Sequence, residues 1–445
     1  MPDPTPGPAL DAAKYRRLVG DVRPLVASGT VNKIVGLVIE GTGPRTAVGG
    51  VCEIHSDGRP PVEAEIVGFS EDKVFLMPLG DMRHVAPRAR IVAKTDRATV
   101  RVGEAMLGRV LDGLGEPLDG KKKPLCAEER RLYGDPLNPA TRRRIAQPLD
   151  LGVRVLNGLL TQGKGQKVGI FAGSGVGKSV LLGMIARHTR ADVNVIALIG
   201  ERGREVREFL ERDLGPEGIA RSVVVAATSD QSPLVRMRGA FLATTIAEHF
   251  RARGKHVLFM MDSLTRFAMA RREVGLSVGE PPTTRGYTPS VFTLMPALVE
   301  RVGNDDGDGS VTGVYTVLVE ADDMNDPIGD AARSILDGHV VLSRGIAARN
   351  QYPAVDVLAS TSRCMTDVAG KEHLAAAARF RATLATYREA EDLINIGAYA
   401  KGSNPKIDDA IAKMGALTNY LAQPVSQKVT YEDSVQHLTG LFAQG

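Results

Sequence analysis

Hydrophobic patterning changes character along the chain. Between about residues 30 and 95, short segments of alternating apolar and polar residues occur at 33–40 (KIVGLVIE), 62–69 (VEAEIVGF) and 73–79 (KVFLMPL). Glycine-rich turns separate them, and the pattern predicts a small antiparallel β-barrel. From about 150 to 365 the apolar runs become continuous, at 167–172, 193–199, 222–227, 256–261 and 313–319, with helical stretches between them. Runs without alternation are buried on both faces, so this part predicts a mostly parallel sheet covered by helices on each side. From about 368 the chain is rich in alanine and charge, and Leu374, Phe380, Leu384, Tyr387, Leu393 and Ile394 recur at helical spacing up to breaks at Gly402 and Pro405. That is the signature of packed helices. Ahead of all this, Pro2, Pro4, Pro6 and Pro8 predict a disordered lead, followed by a short helix over 10–19. The expected divisions are therefore 1–25, 26–97, 98–365 and 366–445.

One transition within the central part carries chemistry. The apolar strand 167–172 runs into Gly173, Ser174, Gly175, Val176 and Gly177, then Lys178, Ser179 and an apolar helix beginning at Val180. Strand, glycine-rich turn and helix in this order form a phosphate-binding P-loop. Glycines let backbone N–H groups wrap a polyphosphate, and the helix offers its positive end to the anion. Lys178 would reach the β- and γ-phosphates of a nucleoside triphosphate, and the Ser179 hydroxyl would ligate Mg²⁺. The pattern departs from the usual motif at one position, Ala172, where a glycine is expected.

Two carboxylates stand at the ends of later strands. Asp262 closes the apolar run VLFMMD, which puts it beside the P-loop at the carboxyl edge of the sheet, on the Mg²⁺ side. It can equally cap the next helix. Glu201 and Arg202 follow the run 193–199, where an acid could take a proton from water and an arginine could hold phosphate oxygens. On spacing alone, charge at a helix start is the simpler reading.

Composition narrows the function classes. With 43% hydrophobic and 24% charged residues the chain is expected to be globular, and a net charge of +4 over 445 residues argues weakly for nucleic acid. The basic runs 121–123 and 142–144 lie in a proline- and glycine-rich stretch and are expected to be solvated linker charge. Cys52, Cys126 and Cys364 are far apart, which indicates neither a disulfide framework nor a zinc site and fits a reducing cytoplasm. No apolar run reaches the ~18 residues of a membrane span.

The motifs 172–179 (AGSGVGKS), 200–205 (GERGRE), 261–267 (MDSLTRF) and 352–363 (YPAVDVLASTSR) occur in the order seen in the catalytic β subunit of F-type ATP synthases. Within that superfamily, 271–289, 322–330 and 337–344 resemble the type III export ATPases, most closely the flagellum-specific branch. The similarity runs from about 30 to 425. It implies an α/β P-loop NTPase with a RecA-like core, an N-terminal β-barrel and a C-terminal helical domain, hydrolysing ATP with Mg²⁺ to energise protein export.

Carried over by position, the resemblance implies that Glu201 activates the hydrolytic water and Arg202 approaches the γ-phosphate. It also implies that Tyr352 stacks on adenine and that Arg363 is an arginine finger reaching a neighbouring subunit. A core tyrosine and a surface ion pair are the plain alternatives for the last two. The resemblance further implies a homohexameric ring, and P-loop, glutamate and arginine on one chain are what a homo-oligomer would need. Further implied partners are a stator-like regulator dimer at the N-terminal segment, a coiled-coil stalk in the pore facing 271–285, export chaperones and substrates, and an inner-membrane export gate. The protein is then cytoplasmic and peripheral to the inner membrane. An RNA-translocating ring is disfavoured by the scarcity of aromatics in 30–95, so no nucleic-acid partner is expected. Segment 387–408 looks more like the flagellar branch; the injectisome ATPase of virulence secretion is the alternative. A nucleotide-binding scaffold without activity is the non-enzymatic reading, disfavoured by intact Lys178, Ser179, Glu201, Asp262 and Arg363.

Overall fold

The computed structural model describes residues 28–44, 46–319 and 326–443, with Ala12 and Arg16. The expected helix over 10–19 lies outside the described residues apart from those two. Chain contacts divide into two compact units, the boundary falling after Ala98.

The first unit is a closed six-stranded barrel. Its strands are β1 (Ser28–Val35), β2 (Val38–Thr42), β3 (Val51–His55), β4 (Val62–Ser70), β5 (Lys73–Pro78) and β6 (Arg90–Thr95), in the order β1-β2-β5-β4-β3-β6. Alternate residues point inward, so Ile39, Ile54, Ile66, Leu76 and Ile91 are fully buried and form a core of their own. The barrel expectation holds with two corrections. Segment 33–40 is a hairpin and not one strand: Gly36 takes a left-handed conformation, φ +57°, and turns the chain between β1 and β2. Strands β3 and β6 complete the closure and were not anticipated.

In the second unit β7 (Thr99–Val102) and β9 (Glu128–Arg131) form a two-stranded sheet, and β8 (Arg109–Asp112) joins the edge of the main one. That sheet also contains β10 (Lys167–Ala172), β11 (Val193–Ile199), β12 (Ser222–Ala227), β13 (His256–Asp262), β14 (Ser310–Leu318), β15 (Gly338–Leu342) and β16 (Val355–Ser362). The order is β16-β15-β10-β14-β13-β11-β12-β8, parallel throughout except that β16 runs antiparallel to β15. Every residue of β10, β11 and β12 is buried, as continuous apolar runs require.

Helices α1 (Lys178–His188), α2 (Pro233–Arg251) and α3 (Leu264–Ser277) each follow a strand of this sheet, and α4 (Pro289–Val299) precedes β14. Segment 271–285, placed by the resemblance in a pore-facing loop, starts within helix α3. Buried Ala270 and Val274 carry the helix on to Ser277, and the loop begins only at Val278. Beyond it Glu280 accepts hydrogen bonds from the Ser290 N–H (2.7 Å) and hydroxyl (2.5 Å).

The basic run 142–144 is a further correction. Arg142 pairs with Glu300 at 2.7 Å and donates to the Val302 carbonyl, so it fastens the connecting stretch to the turn that follows α4. Lysines 121–123 are exposed as expected. At the C-terminal end α5 (Lys371–Asn395), α6 (Pro405–Leu421) and α7 (Tyr431–Gly440) are the expected helices. Their Phe380, Leu384, Leu417, Tyr420 and Leu438 share one apolar cluster with Leu156, Leu159 and Leu181. No helix among the described residues is long and apolar enough to cross a membrane.

Candidate active site

The turn after β10 takes the shape its glycines permit. Gly175 and Gly177 have φ of +79° and +86°, a region that residues with a side chain avoid. Gly177 is the N-cap of α1, so no side chain covers the free N–H groups of the first turn. Those groups and the helix dipole face the carboxyl edge of the sheet, a ready anion seat. Ser174 and Gly175 are exposed there, Gly173 is buried, Val176 anchors the turn in the core, and Val180 packs against the same cluster. Gly173 is close-packed for a different reason: a Cβ on it would lie 2.8 Å from the Arg344 guanidinium.

Lys178, the first residue of α1, reaches across to two strand ends. Its Nζ lies 2.5 Å from Asp262 Oδ1 at the end of β13 and 3.5 Å from Glu201 Oε1 just beyond β11. These strands are neighbours in the sheet, and Leu198 pairs with Asp262 in register. Burial would depress the Lys178 ammonium, but Asp262 and Glu201 outweigh it and hold the group above its ordinary range. Glu201 is pushed up to about 7, first by burial and then by the charge of Asp262; Lys178 opposes the shift and Glu205 adds to it. A carboxyl group poised near neutrality beside a phosphate seat is suited to accept a proton from water.

Ser179 is exposed on the first turn of α1. Among the described residues no group of three or more His, Cys, Asp or Glu could hold a metal unaided. One hydroxyl and one carboxylate, completed by phosphate oxygens and water, is the donor set Mg²⁺ commonly takes, so Ser179 and Asp262 fit that ion.

Tyr352 stands at the same edge. Its ring would lie 3.5 Å from a Cβ on Gly177, it is 41% exposed, and its carbonyl accepts from the Gln423 N–H at 2.9 Å. Arg202 and Arg363 do not join the cluster. Arg202 turns outward and pairs with Glu205 at 3.3 Å, its side chain 77% exposed. Arg363 follows β16, whose antiparallel course carries it to the opposite edge: Val355 lies beside Leu342 at the P-loop edge, Ser362 beside Gly338. The eight residues of β16 span roughly 25 Å. Arg363 is exposed there and donates to the Arg333 carbonyl at 3.1 Å.

Two residues at the site had not been singled out from sequence. Thr316, on β14, donates to Asp262 Oδ1 at 2.6 Å. Arg266, on α3, lays its methylenes over Gly200, and its Nε is buried without a partner. No sequence signal marks either one: β14 also carries Ser310 and Thr312, and α3 also carries Arg271, Arg272 and Glu273.

Comparison with known proteins agrees with this geometry. Residues 152–362 match the nucleotide-binding domain of the ATP synthase alpha/beta family, and 369–440 match the T3SS EscN ATPase C-terminal domain. The chain is 51% identical to the flagellum-specific ATP synthase of Bacillus subtilis (strain 168), covering 93% of this chain and 94% of that protein. It is 50% identical to the type 3 secretion system ATPase of Xanthomonas euvesicatoria, covering 93% of both. The assembled ATPase EscN of enteropathogenic E. coli, solved in complex with its central stalk EscO, superposes with a TM-score of 0.86 at 44% identity, over 93% of this chain and all of that one. A P-loop, two strand-end carboxylates and likeness of this extent over barrel, sheet and helices lead to one conclusion: the chain belongs to the family of flagellum-specific ATP synthases and type 3 secretion system ATPases.

Proposed function

We propose that this ATPase hydrolyses ATP by in-line attack of a water held by Glu201, and that the energy serves type III protein export. The observation that carries the site reading is the convergence of Lys178 on Asp262 at 2.5 Å and Glu201 at 3.5 Å, beside a glycine-capped helix. In this reading the amides of 173–179 and Lys178 hold the phosphates, and Val180 keeps the first turn seated. The transition state offers little covalent chemistry, so positioning and charge neutralisation are the catalytic work. Ser179 would hold Mg²⁺, with Asp262 behind, and the ion would supply positive charge to neutralise the phosphates. Glu201 takes the water's proton. Arg202 approaches the γ-phosphate after a change of rotamer, and Tyr352 stacks on adenine.

Arg363 acts on a neighbouring copy. Its distance from its own P-loop, set by the length of β16, supports this, since a side chain cannot reach ~25 Å. Six copies in a ring, with a stalk in the pore touching the loop from Val278, extend the assembly named for EscN to this chain. The remaining partners are a regulator dimer at segment 1–25, export chaperones and cargo, and the cytoplasmic face of an inner-membrane gate. Relatives from flagellar and from secretion systems are about equally similar, and segment 387–408 favours the flagellar branch.

The test is a pair of variants. Glu201→Gln retains nucleotide affinity and loses turnover by about 10²–10⁴. Lys178→Ala loses turnover and binding together. Parallel loss of binding in Glu201→Gln would make Glu201 structural.

A further inference from the structure

Asp262 Oδ1 receives two donors at once, Lys178 Nζ at 2.5 Å and Thr316 Oγ1 at 2.6 Å. Among the described residues Oδ2 has no hydrogen-bond partner, and it is not one of the atoms buried without one, so on a residue only 5% exposed it is the oxygen left open to the site. We propose that Thr316 is a positioning residue for Asp262: it holds Oδ1 so that Oδ2 stays aimed at the metal–phosphate seat when the nucleotide draws Lys178 away. This rests on the reading of Asp262 as the Mg²⁺-side carboxylate.

The argument begins with what can move. Lys178 is a long, rotatable side chain on a helix whose task in the site is to reach phosphate. Once its ammonium is shared with phosphate oxygens it no longer holds Asp262 alone. Thr316 cannot follow. It is wholly buried on β14, and that strand is fixed between β10 and β13, with Ile170 and Thr316 in register. Its β-branched side chain is stiff about χ1.

The hydroxyl has a single proton to give. The Met261 carbonyl, the other acceptor nearby, is 3.4 Å away, beyond an ordinary O–H···O bond, so the proton goes to Asp262. Strand periodicity explains how the pair meets. Leu258 and Met260 on β13, and Val314 on β14, belong to the main apolar cluster; two residues further along each strand, on the same face, come Asp262 and Thr316. At the top of that face the apolar rows give way to one carboxylate and one hydroxyl, bonded to each other. A carboxylate that lost Lys178 with no second donor would be free to rotate and would present neither oxygen reliably. Such supporting partners typically account for 10–100-fold in metal affinity or activity.

The decisive measurement is metal binding rather than turnover. Mn²⁺, visible by EPR, is titrated into the full-length protein with a saturating non-hydrolysable ATP analogue. Thr316→Val keeps the β-branched shape and removes the hydroxyl; its Mn²⁺ dissociation constant should rise about tenfold, while affinity for the analogue in EDTA stays as in the wild type. Thr316→Ser should restore tight binding. If thermal melting shows that the valine variant does not fold, Thr316→Ala takes its place in the same titration. Wild-type Mn²⁺ affinity in the hydroxyl-free variant, with loss in Asp262→Asn, overturns the role of Thr316 alone. Unchanged affinity in Asp262→Asn overturns the reading of Asp262 and this inference with it. Weak binding in Thr316→Ser as well as in the valine variant means that packing, not the hydroxyl, is what matters, and also overturns it.

Discussion

Lys178 Nζ stands 3.5 Å from Glu201 Oε1, close enough to stabilise the ionised carboxylate but a metre-stick's end of hydrogen-bond range. Burial and Asp262 win against it, and Glu201 titrates at about 7. Because the raised value belongs to an acid, the active, ionised form is present above this pH and lost below it.

The free enzyme should therefore show an acidic limb in kcat/KM near pH 7, falling about tenfold per unit below it. Glu205 contributes to the upward shift through its charge and a hydrogen bond. Glu205→Gln should move the limb to lower pH. A pH–rate profile that stays flat through neutrality would remove Glu201 as the base.

On the proposed role of Arg363 as an arginine finger, its loss should cost roughly 10³–10⁵ in turnover and leave ATP binding intact. Mixing Arg363→Ala with Glu201→Gln should bring back partial activity, because some interfaces then pair an intact Glu201 site with an intact neighbouring Arg363. If mixed assemblies form, seen by co-purification of two tags, and phosphate release stays at background, Arg363 does not act between copies.

Tyr352→Ala should weaken ATP binding by about 2- to 12-fold, the equivalent of ~0.5–1.5 kcal/mol of stacking. Tyr352→Phe should bind like the wild type. The check is fluorescence titration with labelled nucleotide; equal loss in both variants would mean that the hydroxyl, not the ring, is what matters.

Removing residues 1–20 should leave ATPase activity measurable and weaken capture of the regulator dimer. Any helix of about ten residues is marginal in isolation, so the proposed docking role of this segment is what the deletion tests. Pull-down with the regulator is the readout, and unchanged capture would take the segment out of that interface.

Much of this was legible because the physics was local. The six buried residues of β10, the glycines after them and the apolar helix beyond fix a P-loop without reference to the rest of the chain. Asp262 was legible for the same reason, an acid ending an apolar run. What sequence left out is decided across the fold. Thr316 reads as an ordinary strand residue until β13 and β14 are aligned. The hairpin at Gly36 was read as one strand because apolar residues flank the glycine closely on both sides, from Ile34 to Ile39, which in fact face each other across the turn. Arg142 looked like solvated charge because its partner, Glu300, is 158 residues away.

The placement of Tyr352 and Arg363 at opposite ends of one antiparallel strand has a consequence for assembly. Under the roles proposed for them, each copy offers an acceptor half-site on one edge and a donor arginine on the other, which is a head-to-tail interface. An open run of copies then always leaves one nucleotide seat without a finger, and a solitary copy has no complete seat at all. Only closure of the run supplies the missing partner. Turnover per copy should thus climb with concentration and step up when the circle closes, so that dispersed subunits leave the cell's ATP largely untouched.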